Sequence, residues 1–334
     1  MNIIPSGYAP ILDIMETQVA IKRLKDGFEA CLSEMLHLTR VSAPLFVTPE
    51  SGLNDTLNGV ERPVDFNLGE EPETTAQIVQ SLAKWKRQAL KRYGFTPQTG
   101  LYTDMNAIRR DEEADNLHSY YVDQWDWELI IREEDRSLET LRSLADRIYA
   151  VFLRTEYDVC MFDSRLLPVL PRQIAFITAQ QLEDEFPALS PKARERAACM
   201  KYGAVFIAQI GGALRSGEPH DGRAPDYDDW SLNGDILFYY PLLDTAMELS
   251  SMGIRVNAET LIRQLTVRNC LHWKEKPFHR ALLNSELPQT AGGGIGQSRL
   301  CMFFLKKAHI GEVQASLWPE TTRRAFAEAG ISLL

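Results

Sequence analysis

The chain has 334 residues, 45% of them hydrophobic and 25% charged, proportions of a globular protein with material for a sizeable core. Lysines and arginines number 36 against 46 aspartates and glutamates, a net charge of −10, which argues against sequence-independent binding to nucleic acid. Five cysteines without a C-x-x-C pair and six histidines without H-E-x-x-H argue against a disulfide scaffold and a zinc site of that kind. No run approaches the ~18 apolar residues of a membrane span, and Asp13, Glu16 and Asp26 interrupt the first thirty residues, so no signal peptide is expected. A soluble cytoplasmic protein is expected, with residues 1–334 forming one domain.

Residues 17–37 place Ile21, Leu24, Phe28, Cys31 and Met35 at alternating steps of three and four, which predicts an amphipathic helix. Residues 41–47 follow as a short strand, with Pro44 suited to an edge or bulge. Helix and strand together offer a dimer surface. The polar stretch 51–59 is a turn-rich loop, in which Asp55 either caps the turn or faces a ligand.

Residues 81–94 predict a helix with Ser81 as N-cap and Gly94 as its stop. At ~100° per residue, Leu82, Trp85, Ala89, Leu90 and Tyr93 share one side. Lys84, Arg87 and Lys91 project from the other, as a solvated basic face. Lys86 falls between Leu82 and Leu90 on the apolar side, where it either snorkels past the edge or holds a carboxylate or phosphate.

Residues 101–109 predict a strand that ends in the charged loop 109–115. The next strand, 120–128, alternates strictly. Tyr121, Asp123, Trp125 and Trp127 share one face, and Val122, Gln124, Asp126 and Glu128 the other. Antiparallel pairing brings Arg109 over that second, polar face, which is either solvent or a site. A helix from about 138 to 153 comes next, then a strand at 174–178. A helix opened by Ser190-Pro191 and closed by Gly203 leads into a strand at 204–210.

Residues 211–234 predict a long polar loop, of the kind that is often functional. Asp226, Asp228, Asp229 and Asp235 are either a solvated acidic loop or part of a site. With Glu248 on a neighbouring strand, Asp235 supplies the two carboxylates that a magnesium ion bridging nucleotide phosphates needs. Helices at 258–268, 278–286 and 296–307 and a strand at 313–317 complete the chain. Between them lies Gly292-Gly-Gly-Ile-Gly-Gln-Ser-Arg299, read as glycines at the N-terminus of a buried helix. They form either a phosphate site gripped by Arg299 or a tight turn before a core helix. The stretch fits neither a Rossmann fingerprint nor a P-loop.

Taken together, three segments resemble the motifs of a class II aminoacyl-tRNA synthetase catalytic core. They are the helix and strand around Pro44, Ala107-Ile-Arg109 with Tyr121-Val-Asp-Gln-Trp-Asp-Trp-Glu128, and Gly294-Ile-Gly-Gln-Ser-Arg299. The expected fold is α+β, an antiparallel β-sheet flanked by helices. From about residue 17 onward the chain is similar more closely to the aspartate–ammonia ligases (asparagine synthetase A). Ser81-Leu-Ala-Lys-Trp-Lys-Arg-Gln, Arg223-Ala-Pro-Asp-Tyr-Asp-Asp-Trp, Leu249-Ser-Ser-Met-Gly-Ile-Arg-Val and Gly292-Gly-Gly-Ile-Gly-Gln-Ser-Arg-Leu carry that likeness. Segment 60–78 and the extreme N-terminus depart from it.

The resemblance implies amidation of L-aspartate by ammonia with ATP, through a β-aspartyl adenylate, giving asparagine, AMP and pyrophosphate. It implies Arg109 and Arg299 on the phosphates, Mg²⁺ on Asp235 and Glu248, and a homodimer. Lys86 would hold aspartate, and Ser81, Gln124, Asp126, Asp228, Ser251, Arg255, Gly292 and Gly294 would line the amino-acid and nucleotide pocket. Asp55 would bind ammonium and accept its proton. Glutamine is not expected as donor, since Asn2 stands where an N-terminal-nucleophile glutaminase needs cysteine. Two rival functions are a paralogue that transfers an activated amino acid to tRNA or protein, and a non-catalytic synthetase-like regulatory module. Against the first stand the net charge and the expectation that no anticodon-binding region of ~100 residues precedes the core. Against the second, both arginines and both metal acids are present.

Overall fold

A computed structural model describes residues 3–57 and 61–334; Asn58 and Gly59, the end of the polar turn, and Val60 lie outside the described residues. Helix α1, Ile14–Leu36, opens with a capping box in which Asp13 accepts from the Glu16 amide and Glu16 returns to the Asp13 amide. Strands β1 (Leu38–Arg40), β2 (Phe46–Val47), β3 (Asp65–Asn67) and β4 (Thr75–Ile78) precede helix α2 (Ala83–Arg92). Then come β5 (Gly100–Ile108), β6 (Tyr121–Ile130), α3 (Leu138–Phe162), β7 (Ala175–Thr178), α4 (Ala179–Glu185) and α5 (Pro191–Tyr202). Strands β8 (Ala204–Ala208), β9 (Asp228–Tyr240) and β10 (Thr245–Arg255) lead to α6 (Ala258–Val267) and α7 (Pro277–Leu283). Strand β11 (Thr290–Gly296), α8 (Gln297–Phe304) and α9 (Glu320–Glu328) close the chain.

Eight strands form one sheet in the order β1-β5-β6-β11-β10-β9-β8-β7, antiparallel except for β1 on β5 and β7 on β8 at its edges. The expected α+β class with an antiparallel sheet flanked by helices is the fold found. A second sheet, β2-β4-β3, is built partly from the segment that departs from the family pattern. One face of the large sheet is sealed by α1, α3 and α8 over an aromatic core of Phe28, Trp125, Trp127, Phe152, Phe238 and Phe303. Phe28 stacks on Trp125 with ring centroids 4.8 Å apart and tilts against Phe152 at 5.4 Å. The opposite face is covered only at its two ends. There α2 packs with Leu82 near Met105 and Ala107, and α4 and α5 pack Leu182 and Cys199 against Val205 and Leu237. Between these coverings the strands β6, β11 and β10 form an open floor, so that the strict alternation of β6 sends its tryptophans into the core and Gln124 and Asp126 into a cleft, with Glu128 buried on the same face.

Several expectations are corrected. The glycines 292–296 do lead into a buried helix, α8, with Gly296 as its N-cap, but they form most of strand β11 rather than a turn, and none has a positive φ. Residues 41–47 are not one strand, because the pairing of β1 with β5 ends at Arg40 and only Phe46–Val47 resumes, in the other sheet. The long loop ends at Tyr227, since Asp228 already pairs with Arg255. Residues 313–317 form no strand; they follow a 3₁₀ turn at Ile310–Glu312 and lead into α9. Lys84 and Arg87 are buried, not solvated, for α2 is enclosed on a second side. Lys84 meets Asp226 at 2.7 Å, and Arg87 donates to the Val256 and Pro288 carbonyls. Only Lys91 of the three stays exposed. Ser81 is not the N-cap; Leu82 is, and the Ser81 hydroxyl accepts from the Ala83 amide at 3.1 Å.

Phe28 is fully buried between the sheet and α3, so Phe28→Ala should lower the unfolding free energy by about 3–5 kcal/mol, read from the shift of the denaturant midpoint.

Candidate active site

The floor of the open face lies in a cleft of about 430 Å³ lined by residues of the large sheet, of α2 and α8 and of the connecting loops. Its shape follows from strand register. Gly292, Gly294 and Gly296 of β11 stand beside Glu128, Asp126 and Gln124 of β6, and Gly292 and Gly294 stand beside Gly253 and Ser251 of β10. A Cβ on Gly292 would lie 1.9 Å from Glu128 Oε2 and 2.5 Å from Arg255 Nη2. On Gly294 it would lie 2.5 Å from Gln124 Oε1 and 2.8 Å from Asp126 Oδ1. Strand β11 is thus a strip without side chains across which the groups of β6 and β10 meet. Gly294 borders the cleft; Gly292 does not, because Glu128 and Arg255 close above it.

Arg255 grips Glu128 through Nε at 3.0 Å and Nη2 at 2.7 Å, and its Nη1 also donates to Asp228. Thr290 adds a hydrogen bond to Glu128 at 2.7 Å. Burial favours the neutral acid at Glu128, yet Arg255 outweighs it and holds the carboxyl below its usual range. Asp228 is raised instead, because burial and the Glu128 charge exceed what Arg255 returns. Lys86 reaches the same group from α2. Its ammonium donates to the Gly293 carbonyl at 2.9 Å, lies 3.2 Å from Asp126 Oδ2 and stands 3.9 Å from Glu128 Oε2. Burial lowers its pKa, against the pull of Asp126 and Glu128. The anion that the inward lysine calls for is therefore supplied first by the protein itself.

On the other side of β11, Glu248, Ser251 and Arg255 share one face although strand alternation sets Glu248 apart. A register shift between Glu248 and Ser250 inserts the extra residue at Leu249, and a second shift lies between Gly253 and Arg255. Asp235 of β9 pairs with Ser251. One of its oxygens is taken by Arg223, and Oδ1 is buried without a partner. Asp235 therefore lies behind the cleft wall, whereas Glu248 lines the cleft. Burial and the Glu248 charge lift the Asp235 pKa to about 6 despite Arg223. For Glu248 burial is the largest influence, but Arg299, Arg223 and Lys192 together bring it below its usual value. Two neighbouring carboxylates, one with an unpartnered oxygen, suit a hard divalent cation. Among the described residues no group of three or more His, Cys, Asp or Glu side chains could hold a metal, which leaves the remaining positions to water or ligand oxygens.

Above the floor stand two arginines. Arg109 follows β5, fixed by its amide donating to Tyr120 O at 2.8 Å, and its buried Nε has no partner. Arg299, on α8, donates among the described residues only to the carbonyls of Leu117 at 3.3 Å and Glu248 at 3.2 Å. The free amide at the start of α8 is already used, since Ser298 N–H donates to Asp123 at 3.1 Å. Asp55 lines the cleft from the loop before β3, with 4% exposure. Its Oδ1 accepts from the Leu57 amide at 2.9 Å and its Oδ2 is unpartnered. Burial raises its pKa, with Lys84 and Arg109 opposing and Asp226 adding to the rise.

The structure thus gathers Asp55, Ser81, Lys86, Arg109, Gln124, Asp126, Asp228, Glu248, Ser251, Arg255, Gly294 and Arg299 around one cleft, and leaves Asp235 and Gly292 in its supporting layer. Missed by sequence reasoning were Arg223, which neutralises Asp235, and the buried Lys84–Asp226–His279 cluster behind Asp55, in which His279 lies 3.0 Å from Asp226. Helical periodicity could not reveal it, because the loop carrying Asp226 packs on α2 only in the folded chain. Gln80 was missed as well; no pattern marks it.

The family model described as aspartate–ammonia ligase matches residues 15–330. The chain is 61% identical over 331 residues to the aspartate–ammonia ligase of Clostridium perfringens, covering 99% of this chain and 98% of that one. It is 59% identical over 330 residues to that of Ruminiclostridium cellulolyticum, with the same coverages. Among solved structures, asparaginyl-tRNA synthetase of Pyrococcus horikoshii complexed with asparaginyl-adenylate superposes with a TM-score of 0.64 at 15% identity, over 91% of this chain and 70% of that chain. The Entamoeba histolytica asparaginyl-tRNA synthetase with asparaginyl-adenylate gives 0.63 at 14%, over 90% and 66%. At such identities the likeness is one of fold, and the chain spans about two thirds of the length of these synthetases.

Gly292→Ala must displace the Glu128–Arg255 pair. It should lower the unfolding free energy by about 1–3 kcal/mol in a denaturant titration, whereas Gly69→Ala, with nothing within 4 Å of the added carbon, should leave the midpoint in place.

Proposed function

The chain belongs to the aspartate–ammonia ligase family and is an enzyme, and on that premise we propose that it amidates L-aspartate with ammonia at the expense of ATP. What supports this most directly is the union in one cleft of two arginines with unused donors, Arg109 and Arg299, and a buried Lys86 set among carboxylates. Aspartate's side-chain carboxylate attacks the α-phosphorus of ATP, the Pα–O bond to pyrophosphate breaks, and a β-aspartyl adenylate forms. The arginines bear on the charge that accumulates at the phosphate oxygens in that step, fixed in place before reaction. Lys86 on the floor orients the amino acid, and Ser81, Gln124, Asp126, Asp228, Ser251 and Gly294 border the space between it and the arginines. Arg255 orders the floor, since its donors are engaged by Glu128 and Asp228.

Glu248 and the unpartnered Asp235 oxygen would hold Mg²⁺, which when bound draws together the nucleotide phosphates. Ammonium near neutral pH must lose a proton before its nitrogen can attack. Asp55, raised by burial, accepts it. The C–N bond then forms at the β-carbonyl as the bond to AMP oxygen breaks, AMP leaves, and a second proton departs from the nitrogen. The whole chain would act as one catalytic domain within a homodimer, for which α1 and α3 expose Met15, Val19, Tyr157 and Met161. Among the described residues no helix is long and apolar enough to cross a membrane.

Purified protein with aspartate, ATP and Mg²⁺ should form asparagine in step with AMP only when ammonium is present. Exchange of pyrophosphate into ATP without asparagine would move the acceptor to tRNA or protein, and no aspartate-dependent turnover would end the proposal. Asp55→Asn should slow ammonium-dependent asparagine formation by roughly 10²–10⁴, with pyrophosphate exchange reduced far less. A group raised to about 6 is neutral below that pH, so Mg²⁺ should bind the ATP-loaded protein progressively more weakly as pH falls from 7.5 to 5.5, measurable by calorimetry.

A further inference from the structure

Asp55 is not the only group of its corner with an unsatisfied oxygen. Gln80, directly after β4, is 1% exposed and lines the same cleft. Its Nε2 donates to the Asp55 carbonyl at 3.1 Å, which orients the amide and leaves Oε1 buried without a partner. The two residues are held together by a common staple: Asn54 Oδ1 accepts from the Asp55 amide at 3.0 Å and from the Gln80 amide at 2.8 Å, while its Nδ2 donates to Ile78 O at 3.2 Å. The Asp55 carboxylate has Oδ1 engaged by Leu57 N–H and Oδ2 free. This corner therefore offers two acceptor oxygens, Asp55 Oδ2 and Gln80 Oε1, held by one set of hydrogen bonds, and among the described residues no donor is directed at either.

A buried acceptor without a donor is costly, so an occupant that brings at least two N–H or O–H donors is called for. The occupant must be small, and one that leaves a positive charge beside the carboxylate fits better than a neutral one. We infer that Gln80 is a substrate-binding residue for ammonium, its Oε1 receiving one N–H while Asp55 Oδ2 receives another. This rests on the role proposed for Asp55 above and deepens it. The division of labour follows from the chemistry of the two acceptors. The amide oxygen cannot take up a proton at neutral pH and so only holds the nitrogen, whereas the carboxylate both holds and accepts. With one N–H on each, two are left outward, and the nitrogen, once Asp55 has taken its proton, stays held by Gln80 beside the cleft. Water also carries two donors and would satisfy both oxygens, so the test must read ammonium itself.

The test compares Michaelis constants of the complete enzyme for ammonium and for aspartate. Gln80→Met keeps the length of the side chain and removes the acceptor. It should raise the KM for ammonium at least tenfold while the KM for aspartate moves less than threefold. Gln80→Asn, which withdraws the same amide by one methylene, carries the same expectation and stands in should the methionine variant fail to fold. Gln80→Glu keeps an acceptor oxygen and should retain an ammonium KM closer to that of the unaltered protein than Gln80→Met does. Equal increases in both constants would reduce Gln80 to a structural strut and overturn the inference. An unchanged KM for ammonium would overturn it too, leaving the corner to water. If the unaltered protein made no asparagine from ammonium, the proposed function itself would fall, a result distinct from either.

Discussion

The site depends on how a carboxylate can be kept ionised at the centre of a sheet. Glu128 is fully buried, and a lone charge there would be neutralised or expelled. Its cations come from different elements: Arg255 two strands away on β10, and Lys86 from a helix above. Neighbouring strands lie ~4.8 Å apart, so a side chain from β10 meets one from β6 only by crossing the strand between them. Strand β11 permits this because it presents glycines on that face, where an added carbon would fall within bonding distance of Glu128. Breaking such a buried pair typically costs ~3–5 kcal/mol, and the geometry leaves no compromise.

From this floor the charge pattern of the cleft follows. Carboxylates and cations are matched at the bottom, where Asp126, Glu128 and Asp228 share Lys86 and Arg255. Higher up the matching is incomplete. Arg109 and Arg299 make no carboxylate contact within the described residues, and Asp55, Gln80 and Asp235 each keep a buried oxygen without a partner. Buried groups in proteins are nearly always satisfied. Those left unsatisfied at and just behind the cleft are open to a ligand, and in the proposed function the cationic donors match phosphate and the acceptors match ammonium and metal. The helices explain why the cleft exists at all: α1, α3 and α8 seal the aromatic face, while α2 and α5 cover only the flanks of the other.

Local periodicity carried much of the architecture. The step of three and four in α1, the caps of α5 and the alternation of β6 each express a local rule, and each stands in the structure. Lys86 was legible for the same reason, since an ion on an apolar stripe contradicts its helix unless something meets it. Of the fourteen site residues named from the sequence, twelve line the cleft, and most of them were named by the resemblance to the family rather than by local periodicity.

Tertiary structure alone decided the rest. Whether the glycines before α8 made a turn or filled a strand depended on β6 and β10, far away in sequence, whose side chains need the space above them. The burial of Lys84 and Arg87 depended on a loop and a carbonyl row that pack on the far side of α2. The shared face of Glu248 and Ser251 required a bulge seen only against β9. By itself the sequence determined which segments are amphipathic and which chemical groups are present, because those properties belong to neighbours along the chain. Which oxygens are paired and which wait for a ligand was settled only when distant segments met, because hydrogen bonding and desolvation act through space.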